Sequence, residues 1–326
     1  MSPNIPPELF DKIFFHLRAS IDFASLYACT QVSSYFSALA DPHLYHHLIV
    51  SDQNPHDKSP IKYSEDTLYR GHSPSQVLQL LADKPQILDK GYIRVLKLRI
   101  EADRLAGESQ TDEARRLYDT ELARLLPLLT SLERVVVGQR GSCRLKWTRL
   151  TRDPELQRAF HGVLGLRSVR DVSLQGFKDL PLEVLEIPTA LRVLNLECQL
   201  VMDALPSSDP SPPCSRTTTG TTSRHRPNLL SLALNCVRGR TVSRFLAWAD
   251  SPSGCNLAGL ENFEAVFSIG DCMHIACALS LCSESLKTLQ LTNPWPASQY
   301  PLLHLSFLLV IHSDIDDASD EFPLRV

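Results

Sequence analysis

Residues 191–196 read LRVLNL, and this spacing of apolar residues occurs seven times along the chain. In each occurrence an apolar residue is followed by two other residues, a second apolar residue, one other residue and a third apolar residue. The last two apolar residues are two positions apart, so they share one face of a β-strand. The seven occurrences are Ile93-Leu96-Leu98, Leu132-Val135-Val137, Val169-Val172-Leu174, Leu191-Leu194-Leu196, Leu229-Leu232-Leu234, Leu260-Phe263-Ala265 and Leu286-Leu289-Leu291.

The intervals between these repeats indicate how the strands are connected. The repeats start 39, 37, 22, 38, 31 and 26 residues apart, and helix-like segments such as 111–129 lie between them. Parallel strands need a crossover of about a dozen residues or more, which these intervals provide. The pattern resembles an irregular form of the L-x-x-L-x-L signature of leucine-rich repeats. We expect a mixed α/β solenoid, a ladder of parallel strands with helices on its convex side. The alternative is a closed α/β domain of unrelated apolar strands.

The residue between the last two apolar positions of each repeat predicts a target-binding surface. In a strand ladder it points away from its apolar neighbours, to the concave side. The row is mixed in character and mostly neutral, so it indicates neither a charged nor a phosphorylated target. The candidate target-binding residues are Lys97, Val136, Ser173, Asn195, Ala233, Glu264 and Gln290.

A different apolar pattern precedes the repeats. After a Pro-Pro-Glu step, which suits the first turn of a helix, Leu9, Ile13 and Leu17 are spaced four residues apart, and Phe10 and Phe14 form a neighbouring stripe. The predicted first helix is therefore apolar over a wider arc than one packing partner needs.

Further helices are predicted over the same fifty residues. Asp22 is a candidate N-cap for a second helix, and 31–39 has the apolar spacing of a third. Asp41 and Pro42 predict the start of a fourth helix that carries Leu44, Tyr45 and Leu48.

This ordered set of residues resembles an F-box, the helical module that joins a substrate receptor to a Skp-type adaptor. The match covers about one sixth of the chain and departs from the family pattern at Ile5, Ser34 and Tyr45. The positions that carry the resemblance are Ile5-Pro6-Pro7-Glu8-Leu9, Ile13-Phe14, Leu17, Val32-Ser33, Phe36 and Asp41-Pro42-His43-Leu44-Tyr45. The alternative is an ordinary N-terminal cap of three helices on a larger domain.

An F-box in front of irregular leucine-rich repeats is similar to a large fungal class of F-box proteins. The resemblance implies a substrate receptor of a cullin-type ubiquitin ligase, which binds the adaptor and, through it, a cullin scaffold, while the repeats hold an unknown target protein. The implied adaptor-binding residues are Pro6, Leu9, Phe10, Ile13, Phe14, Leu44 and Tyr45. Some of these must instead hold the helices together. A scaffold or protein-interaction module outside any ligase is the alternative.

The same patterns divide the chain into four parts. We expect an F-box over 1–50 and a helical linker over 51–90, with a helix that starts at Ser73-Pro74. The repeat domain covers 91–293 and contains a disordered insertion at 203–227, which is rich in proline, serine and threonine. Residues 294–326 are expected to be an irregular acidic tail.

The sequence shows no motif for catalysis, a cofactor or a metal. Nucleophile-elbow, zinc-protease, P-loop and dinucleotide-binding patterns are all missing, so we expect a protein that is not an enzyme. His43, His46 and His47 are close in sequence, but we interpret them as the solvated face of a helix. Cys272, Cys277 and Cys282 are five residues apart, a spacing that does not suit a zinc site.

Composition excludes several other classes of function. A formal net charge of −4 argues against nucleic-acid binding, and no run reaches the roughly 18 apolar residues that a membrane helix needs. There is no secretory signal, and nine cysteines argue against a closed disulfide framework. We therefore expect free thiols and an intracellular protein, cytoplasmic or nuclear.

Overall fold

A computed structural model describes residues 6–20, 22–52, 71–101, 112–140, 145–150, 152–201, 226–235, 241–266, 271–292 and 307–310. Within these ranges the chain has a mixed α/β fold, in which helices accompany one ten-stranded sheet. Eight neighbouring strands of the sheet run parallel. No helix in these ranges is long and apolar enough to cross a membrane.

Three helices form the N-terminal part, namely α1 (Pro7–Ala19), α2 (Phe23–Thr30) and α3 (Ser34–Leu44). Two of them begin at capping side chains that accept a hydrogen bond from the first turn. Asp22 accepts from the backbone N–H of Ser25, and Ser33 accepts from that of Phe36. These caps replace hydrogen bonds that the first turn of a helix otherwise lacks.

The expected fourth helix is absent from this region, and a strand takes its place. α3 continues through Pro42, and β1 (His47–Ser51) begins three residues after the helix ends. Although Pro42 removes one backbone hydrogen bond, the N–H of Tyr45 still donates to the carbonyl of Asp41 at 3.0 Å. The boundary that we expected at residue 50 therefore falls inside a strand of the sheet.

The remaining strands follow the repeats. They are β2 (Val95–Glu101), β3 (Arg134–Arg140), β4 (Leu145–Lys146), β5 (Asp171–Pro181), β6 (Val193–Val201), β7 (Ser231–Asn235), β8 (Asn262–Val266), β9 (Thr288–Thr292) and β10 (Phe307–Val310). Their order is β1-β2-β3-β5-β6-β7-β8-β9-β10, and β4 pairs with β5. We call the parallel series β1 to β9, without β4, the strand ladder.

Helices connect the strands and pack on the apolar side of the sheet. They are α4 (Pro74–Asp83), α5 (Gln86–Asp89), α6 (Asp112–Leu125), α7 (Trp147–Leu150), α8 (Pro154–Leu164), α9 (Thr241–Asp250) and α10 (Cys272–Cys282), with 3-10 turns at Leu126–Leu128 and Leu182–Glu186. The helix expected at Ser73-Pro74 is confirmed as α4, and Ser73 and Gln76 form a capping box at its start. The segment 111–129 forms α6 and the 3-10 turn that follows it.

The repeat residues form the core of the ladder. Of the 21 apolar positions, all are buried except Leu291, which packs partly buried against the same core. They also align across the sheet, because the second and third residues of each repeat pair in register with those of the next. The sequence pattern therefore predicts both the strands and the face that they bury.

Each strand of the ladder after β1 starts with the same backbone arrangement. The carbonyl of Arg94 accepts hydrogen bonds from the N–H groups of Glu133 and Arg134, at 2.7 and 3.1 Å. The carbonyls of Glu133, Arg170, Arg192, Leu230 and Glu261 each bind two successive N–H groups of the following strand in the same way. Repeats of unequal length thus enter the sheet in equivalent geometry.

Two expectations fall partly or wholly outside the described residues. The insertion at 203–227 lies outside them except for its last two residues. Most of 294–326 also lies outside, but β10 belongs to this segment and pairs antiparallel with β9. The prediction of an irregular tail is therefore wrong at Phe307–Val310, where the segment adds a strand to the sheet.

Candidate functional site

Helix α1 covers its stripe of Phe10 and Phe14, whereas the stripe of Leu9, Ile13 and Leu17 is covered only at Leu17. Phe14 is 2% exposed, and Phe10 and Leu17 pack partly buried against the core. Leu9 and Ile13, one turn apart on the same helix, are 48% and 50% exposed. The wide apolar arc expected from the sequence is thus divided between internal packing and the protein surface.

The buried stripe joins α1 to α3 through aromatic contacts. The ring centroids of Phe10 and Phe36 are 5.0 Å apart in an edge-to-face arrangement, and those of Phe10 and Phe14 are 6.3 Å apart. Such pairs stabilise packing by about 0.5–1.5 kcal/mol beyond the area that they bury. Phe10 is therefore chiefly a packing residue, although part of its side chain remains accessible.

Further exposed apolar side chains lie in the turn before α3 and in its first turn. Val32, in the turn between α2 and α3, is 68% exposed, and Tyr35 in the first turn of α3 is 50% exposed. The ring of Tyr35 lies 6.0 Å from that of Phe36, which in turn contacts Phe10 beside Leu9. We call Leu9, Ile13, Val32 and Tyr35 the apolar face of the N-terminal helices.

Exposed apolar residues are concentrated in this part of the protein. Six of the nine large apolar side chains that are exposed in the described part of the chain lie between residues 9 and 35. Single exposed apolar residues are common, whereas clusters mark binding surfaces. The N-terminal helices are therefore the leading candidate for an interaction surface.

Three of the expected adaptor-binding residues have a different role. Phe14, Leu44 and Tyr45 are buried, whereas Pro6, Leu9 and Ile13 are exposed. The hydroxyl of Tyr45 accepts a hydrogen bond from Nζ of Lys84 at 2.9 Å, so Tyr45 ties the N-terminal helices to the sequence around α4. We therefore remove Phe14, Leu44 and Tyr45 from the candidate contact set.

Tyr45 also begins an eighth repeat, which is not among the seven that the sequence predicts. The run Tyr45-Leu48-Val50 has the same spacing as the other seven repeats, and all three side chains are buried. Leu48 and Val50 pair in register with Leu96 and Leu98, and the carbonyl of His46 accepts from two successive N–H groups, as in the later repeats. The spacing was readable, but the Asp-Pro step before it indicated a helix instead.

The three neighbouring histidines are not a solvated helix face. His43 is buried on α3, and its Nε2 lies 2.8 Å from Oδ1 of Asp11 on α1. Burial, helped by the nearby charge of Arg18, lowers the pKa of His46 to about 4. The prediction of a solvated helix face is therefore wrong for His43, which is buried, and only His43 lies on a helix; His46 is half-buried in the connection, and His47 is exposed at the start of β1. No group of three His, Cys, Asp or Glu side chains in the described ranges could hold a metal ion.

The seven expected target-binding residues form one row across the sheet. Each pairs in register with the next, from Lys97 on β2 to Gln290 on β9, and Ile49 of β1 extends the row. Val136 and Ser173 are buried, so the middle of the row offers little surface. The members with accessible surface are Lys97, Asn195, Ala233, Glu264 and Gln290.

The cysteines differ in part from the expectation of free thiols. Cys255 and Cys282 are free and buried, and burial raises the pKa of the Cys255 thiol to about 12, which leaves it unreactive near neutral pH. Cys277 on α10, however, is disulfide-bonded. The prediction of free thiols throughout is therefore wrong at this position.

Comparison of the chain with known protein families, with curated proteins and with solved structures gives no match. The functional assignment therefore depends on the surfaces described above.

Proposed function

We propose that this chain is the substrate-recognition subunit of a ubiquitin ligase of the Skp–cullin–F-box type. In this proposal the N-terminal helices are an F-box that binds a Skp-type adaptor, and the strand ladder is an irregular leucine-rich-repeat solenoid that holds a target protein. The chain is not an enzyme itself, because the transfer of ubiquitin belongs to the partner subunits. The observation that carries the proposal is the exposure of Leu9 and Ile13 on a helix whose other apolar stripe is already buried.

The free energy that burial of Leu9 and Ile13 would release is of the size expected at a protein interface. Complete burial of a leucine or isoleucine side chain stabilises by roughly 1.5–3 kcal/mol, and about half of this remains available for a side chain that is half exposed. Leu9 and Ile13 are not fully covered by any of the described residues, so their burial in a groove on a partner would release this energy. Val32, in the turn before α3, and Tyr35, in its first turn, would add to it.

The connection between the two parts also supports the proposal. Only Tyr45 and His46 separate α3 from β1, and Tyr45 is held by Lys84. A short and buried connection lets the ladder keep a fixed orientation relative to the apolar face. A receptor that presents a target to other subunits benefits from such a fixed geometry.

A pull-down with a purified Skp-type adaptor tests the proposal. We expect the double variant Leu9→Asp, Ile13→Asp to lose at least about tenfold in adaptor capture, because two charges would enter an apolar interface. The matched control is Met273→Asp, Leu281→Asp on α10, where the native side chains are 65% and 57% exposed. This control introduces the same charge at exposed apolar positions of another helix and should be captured like the native chain.

Equal capture of the native chain and both variants would contradict the proposal, once circular dichroism shows that all three are folded. If the native chain binds no adaptor, a scaffold or interaction module outside any ligase becomes the better assignment. The in-register row with accessible members from Lys97 to Gln290 favours this second function, because it needs no F-box.

A further inference from the structure

A groove of about 480 Å³ lies between α6 and α8, on elements that carry neither the apolar face nor the target-binding row. Its lining is mainly apolar and comes from the end of α6, the 3-10 turn after it, and the length of α8. The apolar lining includes Leu126, Leu129, Ala159, Gly162, Val163 and Leu166. Leu128, in the same 3-10 turn, is exposed.

Gly162 keeps this groove open at a cost to the helix. It lies inside the eleven-residue helix α8, where glycine is less stable than alanine by roughly 0.5–1 kcal/mol. A Cβ atom at this position would meet no heavy atom within 4 Å. Gly162 is exposed, so packing within the described part of the chain does not require a glycine here, and its missing side chain leaves the surface of α8 open beside the groove.

The charges at the groove are not balanced within the described part of the chain. Arg124 and Arg158 both line it, and neither side chain makes a hydrogen bond or ion pair with a described residue. Elsewhere, by contrast, Arg134 pairs with Asp171 at 3.0 Å. Glu155 also lines the groove, so its lining carries two positive charges and one negative charge.

We propose that this groove binds an acidic amphipathic helix of a partner protein. The lining residues on α8 run from Glu155 to Val163, which corresponds to about 12 Å, or about two helical turns, and Leu166 extends the lining beyond the helix. A helix of that length presents apolar residues at i, i+3 or i+4, and i+7 to an apolar groove, which is a common mode of recognition. Acidic residues beside this stripe would pair with Arg124 and Arg158.

Fluorescence anisotropy with a designed peptide and the full chain tests this inference. The probe is a labelled 14-residue helical peptide with leucine at i, i+3 and i+7 and glutamate on both sides of that stripe. One control peptide has the leucines moved off a common face, and another has lysine in place of glutamate. We expect the acidic amphipathic peptide to bind at least about tenfold more tightly than either control.

Substitutions in the protein locate the binding site. The pair Arg124→Glu, Arg158→Glu should reverse the preference between the glutamate and lysine peptides. Gly162→Leu should weaken binding at least about tenfold by filling the groove, whereas Gly162→Ala should raise the melting temperature. The matched control is Arg244→Glu, an exposed position on α9 away from the lining residues, which should leave binding unchanged.

Several results would overturn the inference. They are equal binding of the three peptides, no saturable binding, or binding that persists unchanged in the Arg124→Glu, Arg158→Glu variant. Self-association of the chain that these substitutions abolish would assign the groove to a second copy and would equally overturn it. Because the test uses no adaptor, its result is independent of the adaptor pull-down.

Discussion

The strand ladder and the N-terminal helices differ in what happens to their apolar residues. In the ladder, the three apolar positions of a repeat such as Leu229-Leu232-Leu234 are all buried, and the residues between them carry the surface. In α1, by contrast, Phe14 is buried while Leu9 and Ile13 are not. A stacked repeat uses its apolar residues to pack against its neighbours, whereas α1 carries more apolar side chains than its own packing uses. We propose that a partner covers this surplus.

Two substitutions in α1 compare a buried with an exposed phenylalanine, and the first of them has the largest expected effect on stability. Replacement of Phe14 by alanine should lower the free energy of unfolding by roughly 3–5 kcal/mol, because it leaves a cavity beside Phe10 and the ring of His43. Replacement of the adjacent Phe15, which is exposed, should cost less than about 1 kcal/mol. Urea denaturation of both variants measures the difference. Similar losses would show that Phe14 and Phe15 do not differ in burial as described.

A second pair of variants makes the same comparison within one strand of the ladder. Leu232→Ala should destabilise by roughly 2–5 kcal/mol, because Leu232 is buried between repeats on both sides. Ala233→Ser changes the next residue, on the opposite and partly exposed face, and should shift stability by no more than about 0.5 kcal/mol. Thermal melts followed by circular dichroism provide the test. If Ala233→Ser destabilised as much as Leu232→Ala, the assignment of the two faces would be wrong.

A smaller effect should appear where the ladder begins. His72 covers the outer edge of β1 through its backbone. Its backbone N–H donates to the carbonyl of Ile49, and its backbone carbonyl accepts from the N–H of Ser51. Burial lowers the pKa of its side chain from 6.5 to about 4, so between these values the unfolded chain binds more protons than the folded protein. Stability from the neutral imidazole is therefore complete above pH 6.5 and is lost as the pH falls towards 4.

The variant His72→Gln measures this contribution. It keeps both backbone hydrogen bonds but removes the titrating group, so its stability should fall by about 2 kcal/mol less than that of the native chain between pH 7 and pH 4. Urea denaturation at pH 7 and at pH 4 gives the change in the free energy of unfolding for the variant and for the native chain. Parallel pH profiles of the variant and the native chain would argue that His72 is accessible to solvent.

Periodicity predicts the ladder well because the signal in each repeat is local. Residues two apart share a strand face whatever the rest of the chain does, so the seven repeats and their in-register row could be read directly. The eighth repeat, from Tyr45 to Val50, was obscured because Asp41 and Pro42 usually mark the start of a helix, and here they lie inside one. β10 was missed because four apolar residues in a proline-rich segment give too short a pattern.

The candidate surfaces were harder to predict, because exposure depends on contacts between distant residues. The sequence identifies Leu9, Phe10, Ile13 and Phe14 as apolar but cannot say which of them α3 covers. The contact between Phe10 and Phe36 decides this. The groove at Gly162 is hard to predict for the same reason, since only the packing of α6 beside α8 shows that the glycine faces open space.

Amide hydrogen exchange of the full chain, with and without a purified Skp-type adaptor, tests the central claim most directly. We predict that the adaptor slows exchange in α1, in the turn that carries Val32 and in the first turn of α3, and leaves the strands β5 to β8 unchanged. Unchanged exchange in α1 while the adaptor is bound, or slower exchange confined to the strands, would contradict the claim that the exposed stripe of α1 is built to be covered by that partner.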